Sequence, residues 1–462
     1  MPHIINAHKL SKALGIEPNR ADPDLIKQVP TSCTMPSPAH LKIAIIGAGP
    51  AGLTLASLLT ASKHAFDFTI FELREKPDPE DVNLPSGNLD LQEEYGLKVV
   101  KACGLYEGFL KIDSGCTEQT VIVDKTGKVF LDLQGEGRPE ISRNALAQLL
   151  LSAIPGDRIK WNTKVLSVAS EGIVEFQHKT AKSSTTEIFD LIVGADGAWS
   201  QARAAIPGAS KPIYSGACSV TLDIPSLVNK HPDLDKLLGG GTYAACGDGK
   251  VLLSQRGIHG SARLYLFLHS KSQAATQQEL QGTTHDDKFG PNPVLGADRL
   301  LSAIPKNHKD LLNVLLTDPE FFSTWSDDIK NLLTVACGAQ SADLPVDARP
   351  LYMLPLAPFP HPHTKRIALV GDAAHLMTPF AGKGVNTAMA DSLALAEHLE
   401  KWADAFKGGN DFNAQLDRSL IAFEEDVAPR AKGAMTLTWM SLLLSYDESG
   451  PERLCQVMAA HH

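Results

Sequence analysis

The chain has 462 residues, a formal net charge of −10, 43% apolar residues and 21% charged residues. That composition fits a globular protein of two or three domains and excludes a disordered or fibrous chain. The acidic balance leaves no electrostatic footprint for nucleic acid or an anionic membrane, and no apolar run of about 18 residues predicts a membrane span.

Residues 1–40 are polar and contain Pro23, Pro30, Pro36 and Pro38, so they read as a surface extension with a short helix near Lys9–Leu14. They lack the apolar core of a secretory signal. From Leu41 the run LKIAIIG predicts a strand buried on both faces. A glycine turn and a buried helix follow, with Leu53, Ala56, Ser57 and Thr60 at helical spacing, and then a strand over Phe66–Leu73. Thr120–Leu133 alternates around Lys-Thr-Gly and predicts a hairpin. Arg143–Ile154 reads as a helix, and Val165–Phe176 and Glu187–Val193 as strands. Ser219–Leu268 holds several β-like runs, 272–292 an exposed loop, and Asn307–Leu333 two helices. Arg366–His375 starts as a buried strand, and a long helix runs on to Trp402. Gln415–Tyr446 is helical, with Thr436–Tyr446 as a packing segment that helps close a pocket.

The seven cysteines are scattered and never form C-x-x-C, which points to a reducing, cytoplasmic setting without a zinc site. The 16 histidines show no metal spacing, so no metal is expected. Cys246 carries no sign of thiol activation.

Three motifs carry chemistry. The first is Gly47-Ala48-Gly49-Pro50-Ala51-Gly52, with Glu72 twenty residues later at the end of the next strand. Glycines alone mark only a turn, but here they follow a buried strand and open a helix. Gly47 permits the turn, Gly49 lets a diphosphate approach, and Gly52 lets helix pack on strand. Glu72 suits a ribose diol and disfavours a 2′-phosphate, so the site reads as one for FAD or NAD. The second motif, Leu191–Arg203, runs from a strand into Gly-Ala-Asp-Gly, where Asp196 by itself reads as a helix cap. The third is IALVGDAAHLMTPFAGKGVN, Ile367–Asn386. Asp372 at a strand's end can hold a polyol hydroxyl, and Gly382-Lys383-Gly384 before a helix presents N–H groups to an anion. His375 beside Asp372 reads as structural rather than as a base.

In this order the motifs resemble those of the FAD-dependent aromatic hydroxylases, the class A flavin monooxygenases, from about Leu41 to Trp402. Within that class the chain looks most like the tetracycline-inactivating monooxygenases, through Ser86–Gln92, Pro139–Leu146 and Gly371–Asn386. The resemblance implies that Glu72 binds the adenosine ribose, with Leu73 beside it, and that Asp90 and Arg143 contact FAD. It places Asp372 on the ribityl chain and Gly382, Lys383, Gly384, Val385 and Asn386 against the isoalloxazine. Pro379, Phe380 and Gly382 would face the substrate, and Asp196 fits the Asp-Gly motif of the wider class. Three positions depart from the tetracycline enzymes. Asn83 stands where they have an NADPH-contacting arginine, Leu73 where an arginine follows the ribose-binding glutamate, and Ala244 near a substrate-binding glutamine.

The expected fold is α/β: a Rossmann-type FAD-binding domain over 41–98, 128–208 and 335–385, and a β-sheet substrate domain over 99–127 and 209–334. An N-terminal extension covers 1–40 and C-terminal bridging helices cover 386–462. The implied activity is that of a monomer that binds FAD non-covalently, takes electrons from NADPH as a transient co-substrate, and reacts with O₂. Through a C4a-hydroperoxyflavin it would hydroxylate a phenolic or enolic polycyclic molecule, with no catalytic side chain required. A flavin oxidase or dehydrogenase on the same fold, and a non-catalytic partner-binding protein, are the alternatives. No nucleic-acid partner and no stable membrane insertion are expected.

Overall fold

The computed structural model describes residues 41–112, 115–134, 139–269, 301–356, 361–406, 411–446, 451–452 and 455. The expected extension over 1–40, its helix near Lys9–Leu14, and the loop at 272–292 lie outside these residues.

A five-stranded parallel sheet forms the first layer, in the order Ile367–Leu369, Leu191–Gly194, Lys42–Ile46, Asp67–Phe71, Ile159–Lys160. The KIAII strand is buried at four of five positions, as a parallel strand covered on both faces must be. Helix α1, Pro50–Ala61, is buried at every residue from Ala51 to Leu59. One side of it meets the sheet. The other meets a long C-terminal helix, whose Ser392 Oγ donates to the Ala51 carbonyl at 2.9 Å. Helix α2, Arg143–Leu151, closes the same core through Leu146 and Leu150.

A seven-stranded sheet forms the second layer, in the order 347–353, 213–224, 261–269, 250–257, 242–247, 119–124, 129–134. All its pairings are antiparallel except that of Thr242–Gly247 with Gln119–Asp124. One face, including Val220, Leu252, Leu264 and Leu266, packs on Leu311 of α3, His308–Thr317, and on Ile329 and Leu333 of α4, Asp327–Gly338. The opposite face presents Ala217, Cys246, Val251 and Phe267. Two long helices follow, α5 over Gly384–Ala405 and α6 over Phe412–Ser445. Trp439, Leu442 and Tyr446 at the end of α6 cover that second face. No helix among the described residues is long and apolar enough to cross a membrane.

Two expected strands are broken in two. Val165–Phe176 is a hairpin of Thr163–Ala169 and Ile173–His178, turned at Gly172, whose φ is +88°. Glu187–Val193 divides into Thr185–Ile188, which joins that hairpin in a three-stranded sheet, and Leu191–Gly194 of the parallel sheet. Ser170-Glu171-Gly172 marks the first break in the sequence itself, whereas at the second only Asp190 separates two apolar runs, which conceals the change of sheet. The expected boundary at 127/128 falls inside a hairpin whose strands share one sheet, and Asp347–Met353, expected with the FAD domain, pairs with Ile213–Ile224. Both differences come from pairing between distant segments, which local pattern does not encode.

Candidate functional site

The glycine turn separates by function. Gly47 has φ +103°, and a Cβ there would collide with the Ala195 carbonyl. A Cβ at Gly52 would collide with the Gly47 carbonyl. Gly49 is different: its backbone is extended, at φ −79° and ψ −179°, and a Cβ would meet nothing within 4 Å. The fold itself therefore requires Gly47 and Gly52 but not Gly49. No side chain caps α1, and Pro50 at its first position has no N–H to donate. An uncapped helix start with open space over Gly49 fits the diphosphate of FAD.

Glu72 is buried beside this turn. Its Oε2 accepts the Ala48 N–H at 2.7 Å, and its Oε1 accepts the Arg74 N–H at 2.8 Å and Nε at 2.9 Å. Burial works to raise the Glu72 carboxyl, but the hydrogen bonds from Arg74 and Ala48 outweigh it and hold the group below its ordinary range. Arg74, one place after Leu73, is thus the cation paired with Glu72. Leu73 is 62% exposed, so its side chain lies on the rim.

The Asp-Gly and Gly-Asp loops meet next to the turn. Asp196 Oδ2 accepts the Gln201 N–H at 2.7 Å, so Asp196 caps the short helix Gln201–Ala204 together with Ser200. Buried Arg203 then ties the two loops together, donating to the carbonyls of Ala198, Asp372 and Ala373. Asp372 stays accessible to solvent although protein surrounds it. That surrounding protein raises its carboxyl above the ordinary range, while His375, Arg143 and Arg203 act in the opposite direction. Arg143, at the start of α2, is exposed.

His375 is inside the protein. Its Nε2 bonds Asp391 Oδ2 of α5, which also accepts the Gly371 N–H at 3.1 Å. Arg430 of α6 donates to Asp391 Oδ1 at 3.0 Å. Asp391 is 1% exposed. It therefore holds both ends of the Gly371–His375 segment and fixes Asp372 between them. Sequence reasoning missed Asp391 and Arg430, because nothing local marks a helical Asp or Arg as the partner of a distant loop.

Pro379, Phe380 and Gly382 form a turn before α5. The Gly382 N–H donates to the Pro379 carbonyl at 3.0 Å, and Gly382 has φ +61°. A Cβ at Gly382 or Gly384 would meet nothing within 4 Å, and no side chain caps α5. Here too the glycines leave backbone open to a ligand. Lys383 Nζ donates to Gln92 Oε1 at 3.0 Å, and Val385 is half-buried. The Asn386 side chain turns into the protein. Its Oδ1 accepts the N–H groups of Gln92 at 2.9 Å and Gly96 at 3.1 Å, and its Nδ2 donates to the Asp90 carbonyl at 2.8 Å. Its side chain is thus committed to residues 90–96 rather than free to lie against a flavin ring, since three backbone groups there need partners.

The two segments that carried the resemblance, 86–92 and 139–146, pair as a ladder of Asn88–Asp90 with Glu140–Ser142. Leu89 and Ile141 enter the core, so Asp90 and Glu140 share the other face. Burial first, and then the neighbouring Asp90 charge, push the Glu140 carboxyl up to about 7. Asn83 bonds Glu80 on an exposed turn, and Ala244 pairs with Leu253 in the second sheet.

Phe380 reaches the second sheet, 4.9 Å between ring centroids from Phe267 and 5.6 Å from Tyr446. Cys246 joins this aromatic cluster, and burial first, then Cys455, pushes its thiol up to about 12, so it is inert. Among the described residues no group of three or more His, Cys, Asp or Glu could hold a metal ion.

The FAD binding domain family model matches residues 40–280 and 323–409. Monooxygenase penA of Penicillium thymicola is 58% identical over 91% of this chain and 99% of its own length. Monooxygenase asqM of Emericella nidulans is 53% identical over 91% of this chain and 99% of its own. Among solved structures, Klebsiella pneumoniae HpxO complexed with FAD and uric acid has a TM-score of 0.64 at 17% identity, covering 91% and 92% of the two chains. Tetracycline destructase Tet(51) has a TM-score of 0.59 at 18% identity, covering 92% and 97%. The chain belongs to the FAD binding domain family of the aromatic hydroxylase type and is an FAD-dependent monooxygenase.

Proposed function

We propose that this monooxygenase takes electrons from NADPH and inserts one atom of O₂ into a phenolic or enolic polycyclic small molecule. The observation that supports this reading is the meeting of the open glycine turn Gly382–Gly384 with the aromatic cluster of Phe267, Phe380 and Tyr446. Bound FAD would supply the redox and oxygen chemistry. The first-turn N–H groups of α1, with Gly49 giving access, would hold its diphosphate, and Glu72 its adenosine ribose. Asp372 would accept a ribityl hydroxyl, with Asp90 and Arg143 at further contacts. The N–H groups at the start of α5 would stabilise negative charge on the reduced ring. Phe380 and Pro379 would position the substrate and exclude water from the reacting atoms. All six described cysteines are free, which supports work in a reducing compartment.

The test is turnover with NADPH and labelled dioxygen, with tetracycline first and phenolic polyketides next, because Asn83 and Ala244 depart from the tetracycline enzymes. One labelled oxygen atom should enter the product. Rapid turnover to an unlabelled product would make the protein an oxidase.

Asp372→Ala should weaken FAD binding roughly tenfold to a hundredfold, the worth of a hydrogen bond to a charged group at about 1.5–3 kcal/mol. Its unfolding temperature without FAD should hold, since no described hydrogen bond uses its carboxylate. Flavin titration by fluorescence quenching measures the first, and calorimetry the second.

A further inference from the structure

Two polar tips in the aromatic cluster have no partner among the described residues. Tyr446 is 7% exposed and Trp439 3% exposed, and neither the Tyr446 hydroxyl nor Trp439 Nε1 finds an acceptor among the described residues. A buried donor without a partner is costly, so two in one cluster need an explanation. The two residues are seven apart, Trp439 on α6 and Tyr446 capping its C-terminus in helical conformation, which puts them on one face. The helix is tied to the turn carrying Phe380, because Thr438 Oγ1 donates to the Thr378 carbonyl at 2.6 Å. Against it lie Phe267, Val251 and Cys246 of the second sheet, an apolar surface whose only side-chain acceptor is the weak one of the Cys246 sulfur. The Tyr446 ring stacks on His269 at 4.4 Å and meets Phe380 edge-on. Burial pushes its phenol well above the ordinary range, so it is a neutral donor at every working pH.

We propose that Tyr446, seconded by Trp439, sets substrate specificity by donating to a carbonyl oxygen carried on an aromatic ring system, whose faces pack against Phe380 and Phe267. The inference rests on the substrate reading above and deepens it. An aromatic hydrocarbon of the same shape would leave the donors unpaired, and sites with buried polar groups reject such analogues more strongly than they reject small changes in apolar size. A ring ketone satisfies them.

The holoenzyme, loaded with FAD, is titrated with 1-tetralone and with tetralin, which share a ring system and differ by one carbonyl. Binding is read by perturbation of the flavin absorbance and by calorimetry. The wild type should prefer the ketone by about tenfold or more, the worth of one hydrogen bond in a dry site. Tyr446→Phe should bring the ratio to within about threefold, leave FAD affinity unchanged, and unfold at the same or a higher temperature, since it deletes an unsatisfied hydroxyl. Trp439→Phe should lower the ratio by a smaller factor. A wild-type ratio near one, or an unchanged ratio in Tyr446→Phe, overturns the proposal. A drop in unfolding temperature in Tyr446→Phe would show instead that the hydroxyl bonds within the protein. If the ketone preference depends on Tyr446 but no compound acquires labelled oxygen, the donor stands and the hydroxylation reading falls.

Discussion

Gly49→Ala is expected to fold as well as the wild type and to bind FAD roughly a hundredfold more weakly, the loss of about 2–3 kcal/mol of contacts to a charged diphosphate. The backbone at Gly49, φ −79° and ψ −179°, is open to alanine, and a Cβ there touches no protein atom within 4 Å. Replacing glycine by alanine at such a position changes stability by less than about 1 kcal/mol. The methyl group instead occupies the space through which the diphosphate would approach the N–H groups of α1. Gly52→Ala and Gly47→Ala fail differently. Their methyl groups collide with the carbonyls of Gly47 and Ala195, and Gly47 adds a left-handed backbone at φ +103°. Both should lose stability together with FAD. Thermal unfolding of the FAD-free proteins, set beside flavin titrations, separates the two classes. Normal FAD affinity in Gly49→Ala would move the diphosphate away from this turn.

That contrast marks what the sequence makes legible. The fingerprint is local: a buried strand, a turn and a helix lie within 21 residues, Leu41 to Ala61, so residue type and spacing report the geometry directly. Glu72 is legible for the same reason, one strand further on. Asn386 is not. Its place after Gly382-Lys383-Gly384 suggests a ligand contact, but its side chain bonds Asp90, Gln92 and Gly96, nearly 300 positions earlier. The second sheet shows the same limit. The hairpin Gln119–Gln134 is visible from its alternation and its Lys-Thr-Gly turn, yet its parallel pairing with Thr242–Gly247 spans over a hundred residues. The break at Gly172 carries a local turn signal, Ser170-Glu171-Gly172, but the change of sheet at Phe189–Asp190 depends on distant pairing and escapes notice.

The Asp391 network was invisible for that reason, and it carries the second large effect. Asp391→Ala should cost about 3–5 kcal/mol of stability, because it leaves His375 and Arg430 without their shared buried anion. It should also weaken FAD binding, since the Gly371 N–H loses its acceptor and Asp372 its fixed position. His375→Gln keeps a polar side chain of similar reach and isolates the proton. Burial favours neutral His375, but the charge and hydrogen bond of Asp391, with Asp372 adding to them, raise its pKa above the ordinary 6.5. A raised folded pKa gives stability that is fully present below the unfolded value and disappears as pH rises through the folded value. The stability gap between wild type and His375→Gln should therefore be widest below about pH 6.5 and narrow progressively above it. Chemical denaturation of both proteins without FAD, at intervals from pH 5.5 to 9, measures the gap. A gap that widens with pH would mean that His375 is held neutral, with Arg430 alone balancing Asp391.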